Sequence, residues 1–179
     1  VEAALADFKI AIKGDKSAHP CYYSAVCTDT LGDVDGAMEL LNKAIERDAN
    51  HAESRSLRGE ILVRRREFDA AIEDLTVAID ANPNDADAIA ARGAVSVAKG
   101  NFGKAVDDFA RAIQLNPKHA RAHHDRGLIA LKKKETAAAI ADLERALTFD
   151  GRLPVDPRYA DAYLSRATQR YEQGKNDGA

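Results

Sequence analysis

Residues 86–119 read ADAIAARGAVSVAKGNFGKAVDDFARAIQLNPKH, and the fold follows from this stretch. Ile89, Gly93, Ser96 and Val97 lie on one stripe at helical spacing. Gly100-Asn101 interrupts it, and Phe102, Ala105, Val106, Phe109, Ala112 and Ile113 make a second stripe. Asn116-Pro117 closes that second stripe, because proline cannot continue a helix. The stretch predicts two antiparallel helices joined by a tight turn. Gly93 and Ala105 are small enough for the two backbones to approach closely.

The same pattern recurs outward from this stretch. Asn82-Pro83 returns as Asn116-Pro117. Arg58-Gly59, Arg92-Gly93 and Arg126-Gly127 keep that interval, as do Ala37, Ala71, Ala105 and Ala139, and Ala44, Ala78, Ala112 and Ala146. Leu41, Leu75, Phe109 and Leu143 fall between the alanines. Four units result, at 18–51, 52–85, 86–119 and 120–153. One helix pair cannot bury both of its faces, so the units must stack, which predicts an all-α solenoid.

These residues resemble the tetratricopeptide repeat family, whose unit is a helix–turn–helix of about 34 residues. The resemblance covers nearly the whole chain and implies a right-handed superhelical solenoid of antiparallel helix pairs. This chain departs from the family's usual aromatic at position 4, where it has Cys21, Arg55, Ile89 and His123. It also lacks the tyrosine at position 11, having Thr28, Leu62, Ser96 and Ala130. A leaner core is expected. The ends read as half-repeats. Residues 1–17, with Ala4, Leu5, Phe8, Ala11 and Ile12, look like a second helix without its first. Residues 154–179 read as an extended link around Leu153-Pro154-Val155-Asp156 followed by a first helix running to about Gln173. The chain is therefore expected to be a piece of a longer array or a unit that stacks end to end.

Composition agrees with a helical, core-forming chain. Of 179 residues 35 are alanine and only five are proline, with 45% hydrophobic and 31% charged. No apolar run approaches the roughly 18 residues of a membrane span. A net charge of −3 and a pI near 6.0 argue against a nucleic-acid binder, as does the lack of aromatics among the basic runs. Cys21 and Cys27, six apart on one expected helix, cannot bridge; buried reduced thiols are expected, which fits a cytoplasmic setting without requiring one.

Chemistry has few candidates. Arg58, Arg92 and Arg126 are each followed by an aspartate at one fixed interval (Asp74, Asp108, Asp142), while the first unit has Ser24 and Leu40 at those places. Joint absence predicts an ion pair between the two helices of one unit. Arg64-Arg65-Arg66 and Lys132-Lys133-Lys134 are expected to serve the C-terminal ends of their helices. His119 and His123 have no third ligand in view, so neither a metal nor a cofactor is expected, and no phosphate loop or nucleophile motif is present. An enzyme is not expected.

The resemblance implies that first helices line a concave face, and that positions 2, 5, 6, 9, 12 and 13 point into it. Carried over, these include Glu53 and, as the residues to bet on, Tyr22 and Tyr23, Glu60 and Arg64, Ala91 and Ala94, and Arg121, His124 and Asp125: an alanine floor between polar walls, with two tyrosines at one end. Such a floor lets another backbone come close. The lysine and asparagines with which some relatives hold a heat-shock chaperone's C-terminus are absent here. The sequence thus predicts a protein-interaction scaffold that binds a peptide or protein segment in this groove. The alternative is self-assembly into homo-oligomers through Phe8 and Ile12 at one end and Tyr163 and Tyr171 at the other.

Overall fold

The structure, a computed structural model, describes residues 1–153 and 157–176. Pro154, Val155 and Asp156 of the expected link lie outside the described residues. Those described hold ten helices: α1 Glu2–Gly14, α2 His19–Thr30, α3 Val34–Arg47, α4 Ala52–Arg64, α5 Phe68–Ala81, α6 Ala86–Ala98, α7 Phe102–Leu115, α8 Ala120–Lys132, α9 Thr136–Phe149 and α10 Arg158–Asn176. The class is the all-α solenoid class built of antiparallel helix pairs. The chain divides into two compact units, Val1–Val95 and Ser96–Ala179, and the division falls inside α6.

The turns repeat as faithfully as the helices. Gly32, Arg66, Gly100 and Lys134, evenly spaced along the chain, all have positive φ, at 86°, 64°, 77° and 62°. Each follows a first helix and turns the chain back. Glycine reaches this conformation freely, whereas a side chain makes it unfavourable by about 1 kcal/mol or more. The turn after each second helix is also constant. Asp48, Asn82, Asn116 and Asp150 each accept, through Oδ1, the backbone N–H two residues on, at 3.0–3.2 Å. Asp15 does the same toward Ser17 at 2.7 Å, although the step from Asp15 to Asp48 is one residue shorter than the later ones. These side chains fold the backbone locally as Asx turns.

Three residues later comes the N-cap of the next first helix. Asp85 accepts from the Ala88 N–H at 2.9 Å. His51 and His119 fill the same place with Nδ1, accepting from Ser54 N–H at 3.2 Å and Ala122 N–H at 3.1 Å. Either side chain satisfies one of the backbone donors that a helix start leaves over.

Small residues let each helix pair close. A Cβ placed on Gly59 would stand 2.7 Å from Leu75 Cγ, and one on Gly127 would stand 2.8 Å from Leu143 Cγ. Both leucines are fully buried, so neither can give way. In the Val1–Val95 unit Ala25, Ala37, Leu41 and Ile61 form a buried cluster, against which Tyr22 and Leu57 pack. Ala18, Cys21 and Ala44 form another, and Ile12 packs on it. Cys21 is buried, but Cys27, on the same helix, is half-exposed, so only one of the two free thiols is sequestered.

The expected ion pair forms in each compact unit. Asp74, 2% exposed, receives Arg58 Nε at 2.5 Å and Nη2 at 2.8 Å, and also Arg55 Nη1 at 2.6 Å. Asp142 receives Arg126 Nε at 2.7 Å and Nη2 at 2.8 Å, and His123 Nδ1 at 3.0 Å. Arg55 and His123, which stand in the family's aromatic position, are thus further donors, Arg55 to Asp74 and His123 to Asp142. Burial pulls Asp142 upward, but the hydrogen bonds from Arg126 and His123 outweigh it and hold the carboxyl below its ordinary range.

Two substitutions separate the turn from the close approach. Gly59→Ala should lower stability by about 2 kcal/mol, because overpacking against Leu75 exceeds the helix propensity gained. Arg66→Gly should raise it by about 0.5–1 kcal/mol, because the turn needs positive φ. Urea unfolding of both variants checks the pair, and equal signs would contradict it.

Candidate functional site

The first helices α2, α4 and the part of α6 up to Val95 carry six of the nine candidate residues. On α2, Tyr22 is half-buried and Tyr23 is 46% exposed. Their ring centroids lie 5.2 Å apart, and Phe8 of α1 stacks on Tyr23 at 5.4 Å. Tyr22 also meets the His51 ring at 5.7 Å, and His19 packs edge-on to His51 at 4.9 Å. An aromatic group therefore opens this end of the face.

Beyond it, Glu60 on α4 is partly buried, and Ala91 and Ala94 on α6 are half-buried. Burial raises the Glu60 pKa from 4.5 to about 7; Asp87, Asp85 and Asp29 push it the same way, and Arg64 alone of the group opposes them. Burial also lifts the Tyr22 hydroxyl above its usual range, with Glu53, Tyr23, Glu60 and Asp85 adding to the effect. Arg64 is not an unengaged cation on this face: its guanidinium is paired with Asp29 of α2. Arg65 pairs with Asp35. The three-arginine run is thus spent on ion pairs and one positive-φ turn, not on the helix end alone.

The Ser96–Ala179 unit holds the other three residues. Asp125 gathers them, accepting His124 Nδ1 at 2.8 Å and Arg121 Nε at 3.3 Å. His124 is buried, whereas Arg121 is exposed. Lys132 lies over the Phe102 ring at 4.0 Å, a cation–π contact that again takes up a basic side chain. His119 caps α8, and His123 bonds Asp142 and the Pro117 carbonyl.

Charge is divided unevenly. Val1–Val95 carries 18 Asp and Glu against 11 Lys and Arg, a formal −7, while Ser96–Ala179 carries 11 against 15, a formal +4. The modest whole-chain value of −3 conceals this.

The tetratricopeptide repeat profile matches residues 29–86 and 91–157, more than half of the sequence. The chain belongs to the tetratricopeptide repeat family. Among solved structures it is similar to MamA, at 26% identity over 83% of this chain and 87% of that one, with a TM-score of 0.68. It is also similar in fold to TTC0263, a thermophilic tetratricopeptide repeat protein of Thermus thermophilus, at 21% identity, 84% and 83% coverage and a TM-score of 0.69. Pseudomonas aeruginosa pilF shares the fold at 22% identity, 87% and 72% coverage and a TM-score of 0.71. No curated protein matches the sequence. As a tetratricopeptide repeat protein the chain is, in general terms, a protein–protein interaction scaffold. Among the described residues no helix is long and apolar enough to cross a membrane.

Sequence reasoning missed several residues of this face in the tetratricopeptide repeat array. Phe8, expected at an end interface, stacks on Tyr23. His51 and Asp85 lie at inter-repeat turns and join the site only through folding. Their signal was present in the capping position, which holds a histidine, an aspartate and a histidine in successive units.

A carboxyl whose folded pKa exceeds its unfolded one binds its proton more tightly when folded. Glu60 therefore contributes less stability as pH rises from about 4.5, and the loss is complete above about 7. Glu60→Gln should be more stable than the parent at pH 8, on the order of 2 kcal/mol, with the difference vanishing near pH 4.5. Thermal unfolding across that range checks it, and a pH-independent difference would remove the burial argument.

Proposed function

We propose that this tetratricopeptide repeat protein is a non-enzymatic scaffold that holds a peptide or protein segment against its first helices. Tyr22, Tyr23, Glu60, Arg64, Ala91 and Ala94 would act in one unit, and Arg121, His124 and Asp125 in the other. The observation that carries the reading is the composition of the first-helix face in Val1–Val95. Half-exposed aromatics and a partly buried carboxylate stand beside small residues, where a segment could lie close to the backbone. Peptides selected from a random display library on the parent protein should bind Ala94→Arg at least about tenfold more weakly, with unchanged circular dichroism. Equal binding to Ala94→Arg and to Tyr23→Glu would defeat the groove.

A second reading is self-association through α1 and α10. Ile10 is 70% exposed on α1, Leu164 and Tyr171 are 68% and 66% exposed on α10, and the units bear opposite charge. Phe8 and Ile12 are already engaged, by Tyr23 and by the Ala18–Cys21–Ala44 cluster, and Tyr163 donates to Glu144 at 3.1 Å. Light scattering over a concentration series should then show a mass that climbs for the parent and not for Tyr171→Glu. A constant mass of 19.3 kDa would leave the groove as the working surface.

A further inference from the structure

We propose that the Val1–Val95 unit takes, on the face built by Tyr22, Tyr23, Glu53, Glu60 and Asp85, an extended segment of a partner protein that carries lysine or arginine. This rests on the reading of that face as a docking groove and names the chemistry of its occupant.

Charge is the first support. The unit is formally −7, and the carboxylates act on one another across this face: Glu60 feels Asp87, Asp85 and Asp29, and Tyr22 feels Glu53, Glu60 and Asp85. Arg64 is the cation among them, and it is paired with Asp29. A cationic partner is drawn to such a field, and an acidic one is repelled.

The second support is the tyrosine pair. Tyr22 lies in the field of Glu53, Glu60 and Asp85, and its ring centroid is 5.2 Å from that of the exposed Tyr23. Aromatic faces flanked by negative charge bind ammonium and guanidinium groups better than either feature alone.

The third is His51, which is independent of charge. Its Nδ1 accepts from the Ser54 N–H at 3.2 Å and lies 2.9 Å from Ser54 Oγ, so the hydrogen-bond network assigns the ring proton to Nε2. The ring is 6% exposed, and among the described residues Nε2 has no hydrogen-bond partner. It points to the carboxylate of exposed Glu53 at 3.6 Å, beyond hydrogen-bond range, beside the Tyr22 ring. A buried N–H without an acceptor is unfavourable. A peptide carbonyl is an acceptor of the right kind, and Glu53 is able to move off Nε2 toward a cation. An extended basic segment supplies both groups at once.

The Glu60 carboxyl, raised to about 7 by burial and by Asp87, Asp85 and Asp29 against Arg64, gives this site a pH signature. Below that value Glu60 is neutral and attracts a cation less. Above it the carboxylate is present, and a docked cation favours loss of its proton.

The test uses three eight-residue fluorescent peptides: alternating lysine and serine, alternating glutamate and serine, and all serine. Each is titrated into the full chain, with binding read by anisotropy and by amide chemical shifts. The lysine peptide alone should bind, moving amides of α2 and α4 and weakening with salt. Glu60→Gln, Glu53→Gln and Tyr23→Ala should each lower its affinity about three- to tenfold. From pH 6 to pH 8 its affinity should rise for the parent and stay flat for Glu60→Gln. Binding of the glutamate or serine peptide that Tyr23→Ala weakens would overturn the cationic proposal and leave the groove standing. Lysine-peptide binding unaffected by all three substitutions would overturn it by placing the contact elsewhere. If no peptide binds and no amide moves, both the proposal and the groove in this unit fall.

Discussion

The structure depends on how closely two helices of a pair can approach. At Gly59 and Gly127 the facing leucine, Leu75 or Leu143, sits where a Cβ would be. That contact sets the register of the pair, and the register sets which charges meet. Arg58 and Arg126 each precede the glycine by one residue, and Asp74 and Asp142 each precede the leucine by one. Seating the leucine on the glycine brings the guanidinium and the carboxylate to one level. The fork between them then satisfies a carboxylate that would be prohibitive to bury alone. The first repeat has Ser24 and Leu40 at those places, so it omits both partners and leaves no charge stranded.

With the second helix seated on one side, each first helix keeps further positions on its other sides. Here the two units diverge. In Val1–Val95 those positions carry tyrosines and carboxylates; in Ser96–Ala179 Asp125 draws Arg121 and His124 onto itself. The same backbone pattern therefore presents two different chemistries, as expected when a repeat fixes the scaffold and leaves the outer positions to vary.

Helix pairing was legible because its residue types recur at one interval: a glycine or alanine under a bulky apolar residue, an asparagine or aspartate at the Asx turn. The Arg–Asp pairing was legible from the joint absence at Ser24 and Leu40. Position 4 was not. Arg55 and His123 read as missing aromatics, because sequence spacing alone does not show that both side chains turn toward Asp74 and Asp142. Arg64 looked like a groove cation, since its partner Asp29 lies on another first helix and neither residue marks the other. Tyr22, Tyr23 and Glu60 were candidates from the resemblance, whereas the contacts of Phe8 and His51 with the tyrosines arise between elements that the sequence does not align. The −7 and +4 division could have been counted from the sequence, but only the structure places a boundary at Val95.

Glu60 is the residue on this face that stability does not explain. Desolvation and three carboxylates oppose its charge near neutral pH, and the neighbour that favours it, Arg64, is shared with Asp29. Glutamine would fill the same space without the repulsion. Two of the buried carboxylates, Asp74 and Asp142, are each surrounded by donors, so the fold can satisfy an acid where it needs one. An ionisable group whose charge is favoured only through a shared arginine, on the same face as Tyr22, departs from the local consistency seen elsewhere in the chain. Such departures concentrate where a surface meets a partner, and on this face the missing compensation has a sign: it is positive.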